Sequence, residues 1–320
     1  MDKALELVRT LGQSDDYFER QKAAWALVNL GEDAVDDVAS ALENGEFSDL
    51  RYKSAWVLGK TGSPRAVDSL CRAMLSDPDH VVREWCAAAL EALGNQDAVQ
   101  PLVLAMKRDS SKDVRLRAAM ALRSLKAVEA LRELLSYSEP ETQGMAVTGL
   151  AKIGDIESLA DVARLLNDED PDVRRRAAAY MAEFNCNEAL NYLSLAVQDS
   201  ESNVRCEALK SLGKIKGKRA CSLALPALKD EDWQVRITAV TTLGEIGHNK
   251  ALDHLVEFMF CQDDEEIRAW AAWSLGEIAD ERAVEPLKLA YKTCPTEVMR
   301  KAKDSLVEVF KQEIQSQFLQ

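Results

Sequence analysis

Histidines, cysteines and carboxylates are the side chains that carry metal, nucleophilic and acid–base chemistry, and in this chain they do not converge. Three histidines, His80, His248 and His254, occur in 320 residues, and none is followed by glutamate. Zinc sites draw on cysteines or histidines spaced two to five residues apart. The seven cysteines (Cys71, Cys86, Cys186, Cys206, Cys221, Cys261 and Cys294) include no Cys-x-x-Cys. No glycine-rich phosphate loop and no Gly-x-Ser-x-Gly elbow is present. Asp and Glu number 54, but they fall on helix surfaces and caps, where pairing any two as acid and base is arbitrary. The sequence therefore predicts no catalytic residue, no metal and no cofactor.

What recurs is an apolar residue followed by arginine: Leu50-Arg51, Val82-Arg83, Val114-Arg115, Val173-Arg174, Val204-Arg205, Val235-Arg236 and Ile267-Arg268. Eight residues after each opening residue stands Leu or Met: Leu58, Leu90, Leu122, Met181, Leu212, Leu243 and Leu275. Weaker copies begin at Glu19-Arg20, Thr142-Gln143 and Val298. The ten copies are 31, 32, 32, 28, 31, 31, 31, 32 and 31 residues apart. A fixed period of this length marks stacked repeats rather than one central core.

Each unit reads as helix, turn, helix. In residues 65–94, Ala66, Val67, Leu70 and Met74 follow a helical period that Asp77-Pro78-Asp79 breaks. Val82, Cys86, Ala89, Leu90 and Leu93 resume it. Asp16, Asp79, Ser111, Asp170, Asp232 and Asp264 stand where a second-helix N-cap is expected. Gly31, Gly62, Gly94, Gly154 and Gly247 stand where a left-handed end cap is expected. A small residue four positions into every second helix, such as Ala118 or Ala239, suits close helix packing.

The runs Val235-Arg-Ile-Thr-Ala-Val-Thr-Thr-Leu-Gly-Glu-Ile-Gly-His and Ile267-Arg-Ala-Trp-Ala-Ala-Trp-Ser-Leu-Gly-Glu-Ile-Ala-Asp-Glu-Arg-Ala-Val resemble HEAT repeats, closest to the short subtype of phycobilisome lyase-like proteins. The resemblance covers about residues 3 to 318. It implies an all-α, right-handed α-solenoid of about ten repeats, whose second helices line a concave face that binds a partner. The di-iron hydroxylases built on such repeats are not matched, for want of His-Glu pairs. The expected domain is one solenoid over residues 1–320, with a change of twist near 123–143 and a capping helix at about 297–318. The twist expectation comes from Leu125-Lys126-Ala127, a linker three residues shorter than its counterparts, and from Gln143 in place of arginine.

The repeated arginines Arg20, Arg51, Arg83, Arg115, Arg174, Arg205, Arg236 and Arg268 read as a structural ladder, because a stacking role must recur. Such a cation opposes the dipole of its own helix start. Acidic turn residues such as Asp79, Asp113, Asp170 and Asp172 are its expected partners.

Specificity must lie where repeats differ. Positions three, six and ten after the opening residue vary most, and at about 100° per residue they share one narrow stripe of the second helix. The stripe collects five of the six tryptophans, all except Trp233. Over the first seven repeats it carries eight basic and two acidic residues, and over the last three it carries one basic and four acidic. Trp25, Lys53, Trp56, Lys60, Trp85, Arg117, Met120, Met145, Lys152, Arg176, Lys210, Lys214, Trp270 and Trp273 are thus the candidate partner-binding residues. Aromatic, Met and Arg side chains in one patch have the composition of interface cores.

These features predict a non-enzymatic scaffold or adaptor that binds an acidic segment or helix of a protein partner. A lyase-like or maturation factor for a chromophore- or cofactor-bearing client, with Cys86 and Cys206 beside the stripe, is the alternative that the subtype resemblance implies. Nucleic-acid binding by the basic stripe is a third reading, opposed by a net charge of −14. The chain has no membrane-length apolar run, and Met1 to Gln13 has no signal-peptide core. With seven scattered cysteines, a cytoplasmic protein is expected.

Overall fold

The computed structural model of the chain describes residues 3–137, 139–261 and 263–318. The outermost residues of the expected 1–320 domain, 1–2 and 319–320, lie outside the described residues. Twenty α-helices, paired in ten hairpins, and no strand are found among the described residues. The contacts between them form two compact units, Met1–Ser158 and Leu159–Gln320.

In the first unit the hairpins are α1 (Lys3–Gln13) with α2 (Tyr17–Leu30), α3 (Val35–Asn44) with α4 (Ser48–Thr61), α5 (Val67–Ser76) with α6 (His80–Leu93), α7 (Val99–Arg108) with α8 (Lys112–Ser124), and α9 (Val128–Leu135) with α10 (Pro140–Ile153). The second unit holds α11 (Ser158–Arg164) with α12 (Pro171–Phe184), α13 (Ala189–Ala196) with α14 (Ser202–Ile215), α15 (Gly217–Ala224) with α16 (Trp233–Ile246), α17 (Leu252–Met259) with α18 (Glu265–Ile278), and α19 (Val284–Thr293) with the long α20 (Thr296–Phe318). Within each unit, successive second helices pack side by side: α4 on α6, α6 on α8, α14 on α16, α16 on α18 and α18 on α20.

A single 3₁₀ turn leads into α3, α5 and α7 (Gly31–Ala34, Pro64–Ala66, Gln96–Ala98). Before α9 it is missing. The shortened linker turns directly through Lys126 at φ 52°. The 28-residue step is thus the loss of one small turn rather than of a helix.

The caps follow the sequence with one exception. Asp16, Asp79, Asp170, Asp232 and Asp264 each accept a hydrogen bond from the backbone N–H two residues on. Ser111 makes no such bond. Its own N–H instead donates to Asp109 at 2.8 Å, and the turn is held from that side. Glu139 caps α10 by accepting from the N–H groups of Glu141 and Thr142.

All five expected glycines have positive φ, and Lys126, Asn185, Lys216 and Ala279 adopt it at the equivalent places. Ala279, at φ 53° and ψ 36°, carries a Cβ in a region that L-residues enter at a cost of about 1–2 kcal/mol. Ala279→Gly is expected to stabilise the protein by about 0.5–1 kcal/mol, the relief of strain being offset in part by unfolded-state entropy. Urea unfolding checks it, and a destabilised variant refutes the strain.

The arginine ladder is present, but its partners differ from those expected. Asp79, Asp113, Asp170 and Asp172 cap helices or face outward, and in five of the six rungs the carboxylate that pairs stands at or just after the end of the next first helix, Glu141 at the start of α10 being the exception. Arg51 Nε and Nη2 donate to Asp77 at 2.7 and 3.0 Å, and Arg83 donates in the same way to Asp109 at 2.7 and 2.9 Å. Arg115 pairs with Glu141, completing three rungs in the first unit. In the second unit Arg174 pairs with Asp199, Arg205 with Asp230, and Arg236 with Asp263. The remaining nitrogen of each fork turns back to the end of the preceding first helix: Arg51 Nη1 donates to Gly45 O at 2.9 Å, and Arg205 Nη1 to Asp199 O at 2.9 Å. The charge thus lies beside free carbonyls at a helix C-terminus, where the dipole favours it, rather than over its own helix start.

Two arginines stand outside the ladder. Arg20 donates to Ser14 O at 2.6 Å, and Arg268 donates to Met259 O at 2.9 Å, with Cys294 Sγ 3.7 Å from its Nη2. Gln143, in place of an arginine, is buried and donates to Leu135 O at 2.7 Å.

Candidate functional site

Every second helix buries the small residue four positions on, and most bury the opening residue and the Leu or Met eight on as well, so the opposite face is left to solvent. That face carries the variable stripe. None of its thirty positions is buried. Small residues set how closely the helices approach beneath it. A Cβ on Gly59 of α4 would lie 2.8 Å from Ala89 Cα of α6, so these two helices are as close as their backbones allow.

In the first unit the tryptophans stand over this seam. Trp25 is 52% exposed and meets Trp56 edge to face, ring centres 5.3 Å apart. Trp85 stacks on Tyr52 at 6.2 Å. Between Trp56 and Trp85 lies a hollow of about 210 Å³, lined by Gly59, Ala88, Ala89 and Ala92 and by the charged residues Lys60, Arg117 and Glu91. The hollow exists because small residues follow the tryptophans along α4 and α6.

The basic residues are less free than their number implies. Lys53 is bonded to Asp49 of its own helix. Arg117 lies 3.5 Å from Glu84 and 4.0 Å from Glu91. No ion pair is found for Lys60 or Lys152 among the described residues. Met120, Met145 and Lys152 line a second, wider groove between α8 and α10.

In the second unit Arg176 and Trp270 are half-buried, whereas Lys210 and Lys214 are exposed on α14, Lys210 lying 3.4 Å from Glu207. Trp273 meets Trp270 edge to face at 5.5 Å, and the Lys301 ammonium sits 4.6 Å from the Trp270 ring centre. Trp233, off the stripe, is 55% exposed at the start of α16.

Sequence reasoning missed Tyr52 and Leu116. Both stand two residues after an opening residue, at about 200°, just beyond the edge of the stripe. Glu84 and Gly144 hold the same place. This position also varies between repeats, and widening the stripe by one position would have included it. Tyr52 is pushed up to about 12 by burial and by its hydrogen bond to Asp49, so its hydroxyl stays protonated.

The two cysteines beside the stripe are not activated. Burial pushes the thiols of Cys86 and Cys206 above the ordinary cysteine range, which disfavours the reactive thiolate. No group of three or more His, Cys, Asp or Glu placed to hold a metal occurs among the described residues. No described helix is long and apolar enough to cross a membrane.

The sequence matches the family of HEAT repeats over residues 35–123, 99–180, 161–230 and 222–306. The chain belongs to the HEAT-repeat family. The HEAT array is also similar in fold to solved structures of low identity. Kap95 in its complex with Nup1 matches at 16% identity and a TM-score of 0.58, over 97% of this chain and 49% of that one. Kap95p in the RanGDP study matches at 15% and 0.57, over 97% and 48%. Kap121p matches at 11% and 0.50, over 96% and 45%. The array thus spans about half the length of these chains. No curated protein matches it in sequence.

Proposed function

We propose that this HEAT array is a non-enzymatic scaffold that grips an acidic segment of a protein partner on the second-helix face of its first unit, the concave face in the family's usual arrangement. The observation that carries the reading is the hollow between Trp56 and Trp85, with an alanine and glycine floor and with Lys60 and Arg117 outnumbering Glu91 on its walls. An exposed aromatic pair around a small-residue floor takes an apolar side chain, and the cations take neighbouring carboxylates. The two Kap95 structures, described with Nup1 and with RanGDP, are in keeping with protein binding by such arrays. A cytoplasmic setting, consistent with seven free cysteines, belongs to the same proposal.

The test is the double variant Trp56→Ala with Arg117→Ala. Trp56 packs on Trp25, so the variant loses about 1 kcal/mol of stability from the aromatic pair. Its affinity for a partner recovered by the wild-type array is expected to fall at least about 10-fold, as for interface anchors. Unchanged affinity for every recovered partner sinks the proposal. A nucleic-acid gel shift at about 50 mM salt that survives the double substitution favours the phosphate reading instead.

A further inference from the structure

A groove of about 420 Å³ opens between α8 and α10, two helices along from the tryptophan hollow. Its walls include Leu116, Met120, Met145 and Gly144, and Leu116 is 46% exposed. Arg123 and Lys152 stand on its rim. Lys112 and Glu141 also border it, and Glu141 is shared between Lys112, at 2.7 Å, and the ladder residue Arg115.

The groove has a cause in the sequence. Nine residues after the opening residue, α4, α16 and α18 carry Gly59, Gly244 and Gly276, each pressed on the neighbouring second helix. In α8 that position is Arg123. A guanidinium cannot be buried unpaired in a helix seam, so it remains half-buried at the groove edge and α10 does not close over Leu116 and Met120.

We infer that this groove is a specificity pocket for one large apolar side chain, aromatic or aliphatic, carried by an acidic segment. The inference rests on the acidic-segment reading above. The apolar wall sets the anchor, since methionines adapt to the shape of an incoming group. The rim sets the flanks, because Arg123 and Lys152 face them and the one carboxylate of the lining, Glu141, is already held by Lys112 and Arg115. Charge complementarity therefore selects acidic neighbours over basic ones.

The probes are three synthetic helical peptides measured by fluorescence anisotropy on the full chain. One has a single Phe among Glu and Ala, the second has Ser for that Phe, and the third has Lys for every Glu. The Phe peptide is expected to bind about 10- to 100-fold more tightly than the Ser peptide, the worth of burying one ring. Leu116→Glu abolishes that preference while leaving the circular dichroism and melting temperature unchanged, because the side chain is half exposed. Lys152→Glu weakens both acidic peptides. Equal binding of the Phe and Ser peptides, with both weakened by the Trp56 and Arg117 double variant, overturns the groove but leaves the scaffold reading standing. Binding of the Lys peptide as tight as that of the Glu peptide overturns the charge selection. Failure of every peptide to bind overturns both readings.

Discussion

Asp230→Ala is expected to lower the unfolding free energy by about 2–3 kcal/mol, among the largest effects of a single surface-reaching side chain in this protein. Asp230 accepts from Arg205 Nε at 2.9 Å, from Arg205 Nη2 at 2.8 Å and from the Asp232 N–H at 2.9 Å. One carboxylate thus joins a repeat to the next and fixes the turn before α16. Removing it leaves a guanidinium that is only 8% exposed without its counter-charge, held by the carbonyls of Asp199 and Ser200 alone. Breaking a fully buried pair costs about 3–5 kcal/mol, and residual solvent contact reduces that figure here. Asp230→Asn keeps an acceptor for the turn but not the charge, so it should fall between wild type and Asp230→Ala. Arg65–Asp36 is the control: its side chains are 52% and 80% exposed, and Asp36→Ala should change stability by less than about 0.5 kcal/mol. Urea unfolding of the three variants decides the matter. Equal losses at Asp230 and Asp36 refute the ladder as a source of stability.

The same rungs set a pH dependence. At Asp109, Asp199, Asp230 and Asp263, burial alone would raise the pKa, but the paired guanidinium and a backbone N–H together overcome it and hold each carboxyl below its ordinary value. A lowered folded pKa means stability that is present above the unfolded value, near about 4, and lost as pH falls through the folded value. The melting temperature should therefore be level down to about pH 5 and drop steeply below about pH 4, with a shallower drop in Asp230→Ala.

The ladder also shows how far the sequence could be read. Its arginines are legible because stacking forces them to recur. Their partners are not, because two acidic residues flank most turns and only the fold-back of the guanidinium chooses between them. Asp77 and Asp79 are two residues apart in sequence, yet one closes a rung and the other caps α6. The helices, most of their caps and the exposed stripe follow from period and spacing alone, while Ser111 and Glu139 show that a cap can move to a neighbour. The hollows in the stripe do not, because they depend on which neighbours are small, as at Gly59 and Ala89, and on which are too large to bury, as at Arg123. Tyr52 and Leu116 fell one position outside a stripe drawn from angles, since side chains have width that a helical wheel omits.

Gly244 gives the sharpest case in which packing overrules local preference. In an isolated helix, alanine is better than glycine by about 1 kcal/mol, so Gly244→Ala should stabilise α16 if nothing opposed it. A Cβ at Gly244 would lie 2.7 Å from Ser274 Oγ, 2.8 Å from its Cβ and 2.9 Å from its Cα. The Cα belongs to the backbone of α18 and cannot rotate away. Ser274 is itself fixed, because its buried hydroxyl donates to Val240 O of α16 at 2.8 Å. Pushing the helices apart therefore strains the seam and lengthens that bond together. We expect Gly244→Ala to cost about 2–3 kcal/mol net, the range of core overpacking with one buried hydrogen bond impaired. Gly12 in α1 is the contrast. A Cβ there would meet Leu50 Cδ2 at 3.0 Å, the far end of a side chain that can turn aside. Gly12→Ala should thus be neutral or stabilising by up to about 1 kcal/mol. Chemical denaturation of both variants separates the two cases. A stabilised Gly244→Ala protein would mean that α16 and α18 are not held in backbone contact, and that the second helices do not set the spacing of the face above them.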